Sequence, residues 1–447
     1  MKPSQPSISV TTCFILVIIM YWFIVDLNQT ATANTSTKSI QDKIDAAKPG
    51  ETVLIEEGHY DEAILIDKAI HLKGQGQVDI SSSNHPVITI VADDVQLENL
   101  SLTMNKQHKP LPALHIRSHH NTIKHLQIET DAYGIQLDEA HHNTIEYVDI
   151  TGDKTLPVKE RKHGIFIQKS HHNTIQQVVI TAVQDGIYID KSRQTTIRHN
   201  DVTNSRYGYH LMFTEKTTVQ HNRAAHNMNG LMVMGATNPT IQENTFIDHQ
   251  QHSQSLGLLI FDTTEAIISN NLIQRNRIGI LIENAQSNFF FKNTIQANYI
   301  GIQLRNATKN TIEQNAFISN LAQGQALESH LNKTNGNYWS DHIGLDITGD
   351  QRSNLTYTVH PFWLHITDHL PPLQLLFQSP GMYFLEDMIQ TAEKERLVDK
   401  APLMNHPLTE EHQVQYTQKR FAFILCFVLL SISIGSMYIG GRTNEKN

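Results

Sequence analysis

Four side chains able to hold a soft metal fall at matching places in two successive segments of this chain: His210 and Met212 after Gly208, Met232 and Met234 after Gly230. The first and third residues after each glycine are apolar, so strand alternation turns the second and fourth to one outward side. If the two segments are neighbours in a sheet, His210 stacks beside Met232 and Met212 beside Met234, about 4.8 Å apart. The turn before Gly230 adds His226 and Met228, and an insertion further on adds His249 and His252. Thioethers with imidazole select Cu(I), which makes copper the candidate cofactor. No thiolate competes, because the two cysteines, Cys13 and Cys426, each lie in a hydrophobic end segment. The same stripe, bordered by Phe166, Tyr188, Leu259 and Phe261, fits docking of a partner at least as well, since methionine and aromatic side chains make adaptable contacts.

What places these residues side by side is a repeat. Gly-apolar-x-apolar recurs at Gly134, Gly164, Gly186, Gly208, Gly230, Gly257, Gly279 and Gly301. A second pattern, Asn-Thr-Ile or a degenerate form, is anchored by Ile123, Ile145, Ile175, Ile197, Val219, Ile241, Ile268, Phe290 and Ile312, at steps of 22, 30, 22, 22, 22, 27, 22 and 22 residues. Units this short cannot bury an apolar side alone, so consecutive units must stack. The expected fold is all-β: a right-handed, single-stranded parallel β-helix of the pectin-lyase type, with two short β-rich runs per coil, over residues 39–335. Asparagines three residues after the anchors (Asn200, Asn222, Asn244, Asn271, Asn293, Asn315) predict a stacked amide ladder at one corner. The two long steps are insertions, in Thr151–His163 and Asp248–Ser255, both just before the glycine strand, a placement typical of a functional face. Ser39–Ala47 has helical spacing and Pro49-Gly50 as a stop, as for an amphipathic cap.

Histidine is abundant, 26 in all, and His119-His120, His141-His142 and His171-His172 precede asparagine in three successive coils. Six stacked imidazoles at one corner read as a structural corner, with a secondary metal site as the other reading. Enzymatic readings need a carboxylate pair or a base in a cleft. The outward stripe offers Asp138, Asp190 and Glu283 on separate coils, with apolar residues between. A carbohydrate-binding or carbohydrate-cleaving β-helix is therefore the competing function class, and a non-catalytic binding or scaffolding protein the leading one.

With 35 Lys+Arg against 44 Asp+Glu, the chain has no basic field for nucleic acid. Lys2, an apolar run from Cys13 to Val25 and Ala31-Thr-Ala33 read as a signal peptide over 1–33, with an uncleaved anchor as the alternative. Residues 421–439 are apolar enough for a C-terminal transmembrane helix. The expectation is an exported body, in the periplasm or on the outer face of the cytoplasmic membrane, held by its tail. Residues 336–418 form a closing and docking extension, with short amphipathic pieces such as Leu373-Gln-Leu-Leu-Phe.

The coils, opened by Gly58-His-Tyr and Gly74-Gln-Gly and closed by Gly336-Asn-Tyr-Trp-Ser-Asp341, resemble the NosD family, exported β-helical accessory proteins for maturation of nitrous oxide reductase. The Tyr209-His-Leu-Met212 strand and Ser379-Pro-Gly381 are similar to that family too. The resemblance implies work beside an ABC transporter, a permease with its cytoplasmic ATPase, in assembling the reductase's copper-sulfur centre, with copper received from a chaperone. After Asp341 the family often carries an Asp-Gly-Asp-rich run; here only Asp346 and Gly349-Asp350 remain, which speaks against calcium.

Overall fold

The structure, a computed structural model, describes residues 39–104, 110–359 and 397–407. The apolar segments 13–25 and 421–439, both cysteines and the amphipathic pieces of 361–396 lie outside the described residues. Among the described residues no helix is long and apolar enough to cross a membrane.

Contacts divide the chain into two units, meeting at Ala46 and Ala47. In the first, Ile40–Ala46 is a helix, opened by the Gln41 N–H donating to Ser39 Oγ at 3.1 Å, with Ile40 and Ile44 buried on one side.

The second unit is a parallel β-solenoid. The strands of its coils, from Thr52–Ile55 to Tyr338–Trp339, pair in parallel with the coil before and after. The glycine strands form one sheet that is 12-stranded among the described residues, running from Ile64–Ile66 to Ala322–Leu327. Each regular coil has three strands where the sequence pattern shows two: Thr196–Arg198, Asp201–Thr203 and Tyr207–Met212 make one turn. The middle strand escapes sequence reading because it is three residues long and buries one large apolar side chain at most (Ile180, Val202, Phe246, Ile273), or only the small Ala224 and Ala225, too little for a visible period.

The corner asparagines stack as expected. Asn200, Asn222, Asn244, Asn271, Asn293 and Asn315 each donate their backbone N–H to the next rung's Oδ1 at 2.9–3.0 Å, ending on Asn337. The residues just before them, among them His199, Glu243 and Lys292, take φ between 53 and 56° in the left-handed region, and the ladder's hydrogen bonds offset that strain. Asn244 Nδ2 donates to Val219 O, Gln242 O and Asn271 Oδ1. Substituting Asn244→Ala removes the amide partner of Val219 O, Gln242 O and the Asn222 N–H in a buried corner, leaving Asn271 Oδ1 only the backbone N–H. The expected loss is about 3 kcal/mol, read as a lower denaturant midpoint; a loss under about 1 kcal/mol would contradict the ladder's role.

A second ladder was not expected: Ser205, Asn227, His249, Asn276, Asn298 and Asn320. His249 is fully buried in it, its Nδ1 in place of an asparagine Oδ1 as the acceptor for the Asn227 N–H. The glycine column exists because coils approach closely there. A Cβ on Gly257 would lie 2.7 Å from Gly279 O, Ile273 Cγ2 and Asn276 Nδ2.

The closing motif does physical work at the end of the stack. Trp339 is buried and stacks on Phe317 with centroids 4.2 Å apart. The buried Asp399 carboxylate accepts from Gly336 N and Asn337 N, both at 2.8 Å, and from Trp339 Nε1 at 3.0 Å, which finishes the amide ladder. Both Asp346 oxygens accept backbone N–H groups of their own turn, from Gly349 and Gln351.

Candidate metal-binding face

The outer side of the glycine sheet carries a column Gln136, Phe166, Tyr188, His210, Met232, Leu259, Leu281 and Gln303, each the direct register partner of the next. A parallel column holds Asp138, Gln168, Asp190, Met212, Met234, Phe261, Glu283 and Arg305. His210 thus lies beside Met232, and Met212 beside Met234, as strand alternation requires.

Exposure departs from that simple reading. Met232, Leu259 and Leu281 point away from the solenoid core yet are buried, clustered with Leu256, Ile278 and Ile300 and flanked by Tyr207, Met234, Phe261 and Tyr299. Leu259, expected as a docking contact, therefore sits inside a cluster; Phe166, Tyr188, Met212, Met234 and Phe261 keep partial exposure. The cluster forms because each buried residue has large apolar neighbours on both sides and on the adjacent coils.

His210 is the best-held residue of the face. Its ring stacks on Tyr188 at 4.5 Å and meets the Tyr207 edge at 5.2 Å. Its Nδ1 is 3.1 Å from Asp185 Oδ2, and its buried Nε2 has no hydrogen-bond partner. Tyr188 is half-buried and its hydroxyl donates to Met212 Sδ at 3.3 Å, which fixes one thioether against the aromatic stack.

Asp185 was not anticipated, nor were its partners Arg206 and His163. Asp185 is fully buried and accepts a fork from Arg206, Nε to Oδ1 at 2.8 Å and Nη2 to Oδ2 at 2.7 Å. Burial opposes its ionisation, but the hydrogen bonds from His210 and Arg206 and the nearby charges outweigh burial and hold the carboxyl below its usual range. His163, at the end of the first insertion, places Nδ1 3.6 Å from Asp185 Oδ2 and packs edge-on to Tyr188 at 4.9 Å. Burial is the main cause that drives its pKa down to about 4, with Asp185 opposing.

Other expected ligands are not drawn in. His226 and His252 are exposed, His226 in a left-handed turn beside Asp248; Met228 is half-buried in the same turn; His249 is a ladder rung. The histidine corner has an arrangement of its own. His119, His141 and His171 stack at 4.8 Å, and the Nδ1 of each accepts a backbone N–H from the next coil at 2.9–3.2 Å. That use of Nδ1 makes this column a structural corner. His120, His142 and His172 form the parallel exposed stack at 4.6–5.0 Å.

Among the described residues no three histidine, cysteine or carboxylate side chains converge to hold a metal. A metal on this face would use the thioether sulfurs with the free buried Nε2 of His210; His163 Nδ1 is also buried without a hydrogen bond, but it faces Asp185. A soft, monovalent ion suits that donor set best. The outward carboxylates lie apart, each engaged by its own neighbours: Asp138 by His115 and Gln136, both at 2.8 Å, Asp190 by Gln168 at 3.5 Å, Glu283 by Arg305 at 4.0 Å.

The family model described as periplasmic copper-binding protein (NosD) matches residues 148–344, and that for a right-handed β-helix region matches 68–224. The two matches together support a β-helix protein of the NosD kind. The NosD match spans the three elements just described: the His163 insertion, the His210 and Met232 coils, and the Trp339 closure. No curated protein matches the chain. Solved structures of similar fold include the family 28 exopolygalacturonase of Yersinia enterocolitica, 10% identical, TM-score 0.49, covering 68% of this chain and 75% of that one. The mannuronan C-5 epimerase A-module of Azotobacter vinelandii is 14% identical, TM-score 0.44, with 67% and 87% covered. Endopolygalacturonase I of Stereum purpureum is 14% identical, TM-score 0.42, with 68% and 99% covered. At these identities the likeness concerns the solenoid, and none of their substrates carries over.

Proposed function

We propose that this protein is a non-catalytic maturation factor for nitrous oxide reductase, acting in the periplasm at the outer face of the cytoplasmic membrane. Its glycine-sheet face binds copper as Cu(I) through His210, Met232, Met212 and Met234, and passes it on during assembly of the copper-sulfur centre. The observation that carries this reading is the buried, unpartnered Nε2 of His210, on a strand whose register pairs His210 with Met232 and Met212 with Met234. A buried ring nitrogen left without a partner costs free energy unless something occupies it. The donor set fits Cu(I), and the family's description as periplasmic and copper-binding supports the same ion and compartment. When bound, copper would be cargo, and the protein's part is to hold it dry and reduced between thioethers.

The partners follow from the family resemblance: an ABC transporter permease and ATPase, the reductase, and a copper chaperone that unloads onto the half-exposed Met212, Met234 and Phe261. The aromatic stack of Phe166 and Tyr188 adjoins the ligands, so a docked carrier would meet both. The test is the copper-sulfur centre of nitrous oxide reductase purified from cells with the wild-type chain, with no chain, or with His210→Gln combined with Met232→Leu. The expected result is a reductase depleted of that centre in the second and third. A fully loaded reductase in cells lacking the chain would overturn the assignment.

A further inference from the structure

We infer that Asp185 is a positioning residue for His210, taking its Nδ1–H and so leaving the buried Nε2 as a lone pair free to bind metal. The inference deepens the copper reading and rests on it for the identity of the ion.

The argument starts from what Asp185 can do. An ionised carboxylate only accepts hydrogen bonds, and this one is committed to acceptance: the Arg206 fork spans both oxygens, and Oδ2 also faces His210 Nδ1 at 3.1 Å. The proton of a neutral His210 therefore belongs on Nδ1, and Nε2 carries none. A ligating histidine whose other nitrogen donates to a carboxylate has its ring orientation and its basicity set by that bond. Here the orientation is held twice more, by Tyr188 stacked at 15° and Tyr207 at 90° to the imidazole plane.

Arg206 is itself fixed, with its guanidinium 4.3 Å above the Tyr207 ring. The first insertion completes the arrangement. Arg161 ties it together by donating to Leu156 O, Lys154 O and Asn204 O, and Lys162 O accepts the Gln184 N–H next to Asp185. The outcome is His163 laid over Asp185 and against Tyr133, Phe166 and Tyr188, which keeps water from the carboxylate. The insertion's role is thus to roof the buried ion pair that orients His210.

The tautomer can be read without copper. In the full chain labelled with nitrogen-15 histidine, the His210 ring resonances are identified by their loss in His210→Gln. At neutral pH the metal-free protein should show a protonated Nδ1 and an unprotonated Nε2. In Asp185→Asn, an amide whose oxygen stays on Arg206 turns its NH2 toward Nδ1, so the ring should change to the Nε2–H form and Cu(I) affinity should fall roughly 10- to 100-fold. A wild-type His210 that is Nε2-protonated or doubly protonated would overturn the inference, and so would a tautomer that Asp185→Asn leaves unchanged. A wild-type chain with the expected tautomer that takes up no Cu(I) would overturn the copper reading and leave the orientation of the ring standing.

Discussion

Full-length protein carrying Met212→Leu, Met232→Leu and Met234→Leu should bind Cu(I) about a thousandfold more weakly than the parent, a loss of roughly 4 kcal/mol. Leucine matches methionine closely in volume, so the buried cluster around Met232, Leu259 and Leu281 should repack with little cost. The sulfur alone is removed. Anaerobic titration against a competing chelator measures the difference, and an unchanged denaturant midpoint separates lost ligands from lost fold. Equal affinity in parent and variant would move copper away from this face and leave it as a docking surface. Single substitutions should rank with burial: Met232 is buried and is the register partner of His210, whereas Met212 already shares its sulfur with the Tyr188 hydroxyl.

Acid should weaken the fold sharply through two histidines that are buried uncharged. Burial first of all lowers the pKa of both His163 and His249 to about 4. A folded-state pKa below the unfolded one means that the unfolded chain binds more protons at mildly acid pH. Their contribution to stability is therefore complete above about pH 6.5 and is lost as pH falls toward 4. A fall from the ordinary 6.5 to about 4 is worth about 3 kcal/mol for each residue. His249→Asn restores the residue found on neighbouring rungs of its ladder, Asn227 and Asn276, and should remove its share of the slope. Denaturant midpoints between pH 7 and 4.5 decide the matter. A wild-type midpoint that stays flat, or a variant that falls as steeply as the parent, would contradict it.

The period of 22 residues, the amide ladder through Asn200–Asn315 and the pairing of His210 with Met232 were legible because each rests on one repeated residue type at a constant offset. Asp185 was hidden by the glycine that follows it. Strict alternation counted from Gly186 sends the preceding residue inward. A Cβ on Gly186 would itself point inward, 2.4 Å from Val202 Cγ1, and Ile187 is buried as well. Two successive inward positions break the alternation at every glycine. The residue before it, whether Asp185, Tyr207 or Asn229, then joins the outer face. His163 was missed for a different reason, since it closes an insertion that has no counterpart in neighbouring coils. The burial of Met232 and Leu259 follows from lateral packing among several columns, which no single-strand pattern records. His249 stood out as a histidine in an insertion, but its place as a rung depends on where the coil rejoins the ladder.

The most direct test of the central claim is X-ray absorption at the copper edge on the Cu(I)-loaded full chain carrying Cys13→Ser and Cys426→Ser, so that thioethers are the only sulfur left to bind. The structure leads us to expect a first shell of sulfur with a single imidazole, losing its sulfur in the triple leucine variant. A shell of nitrogen and oxygen alone would contradict it and direct attention to the exposed His120, His142 and His172 stack.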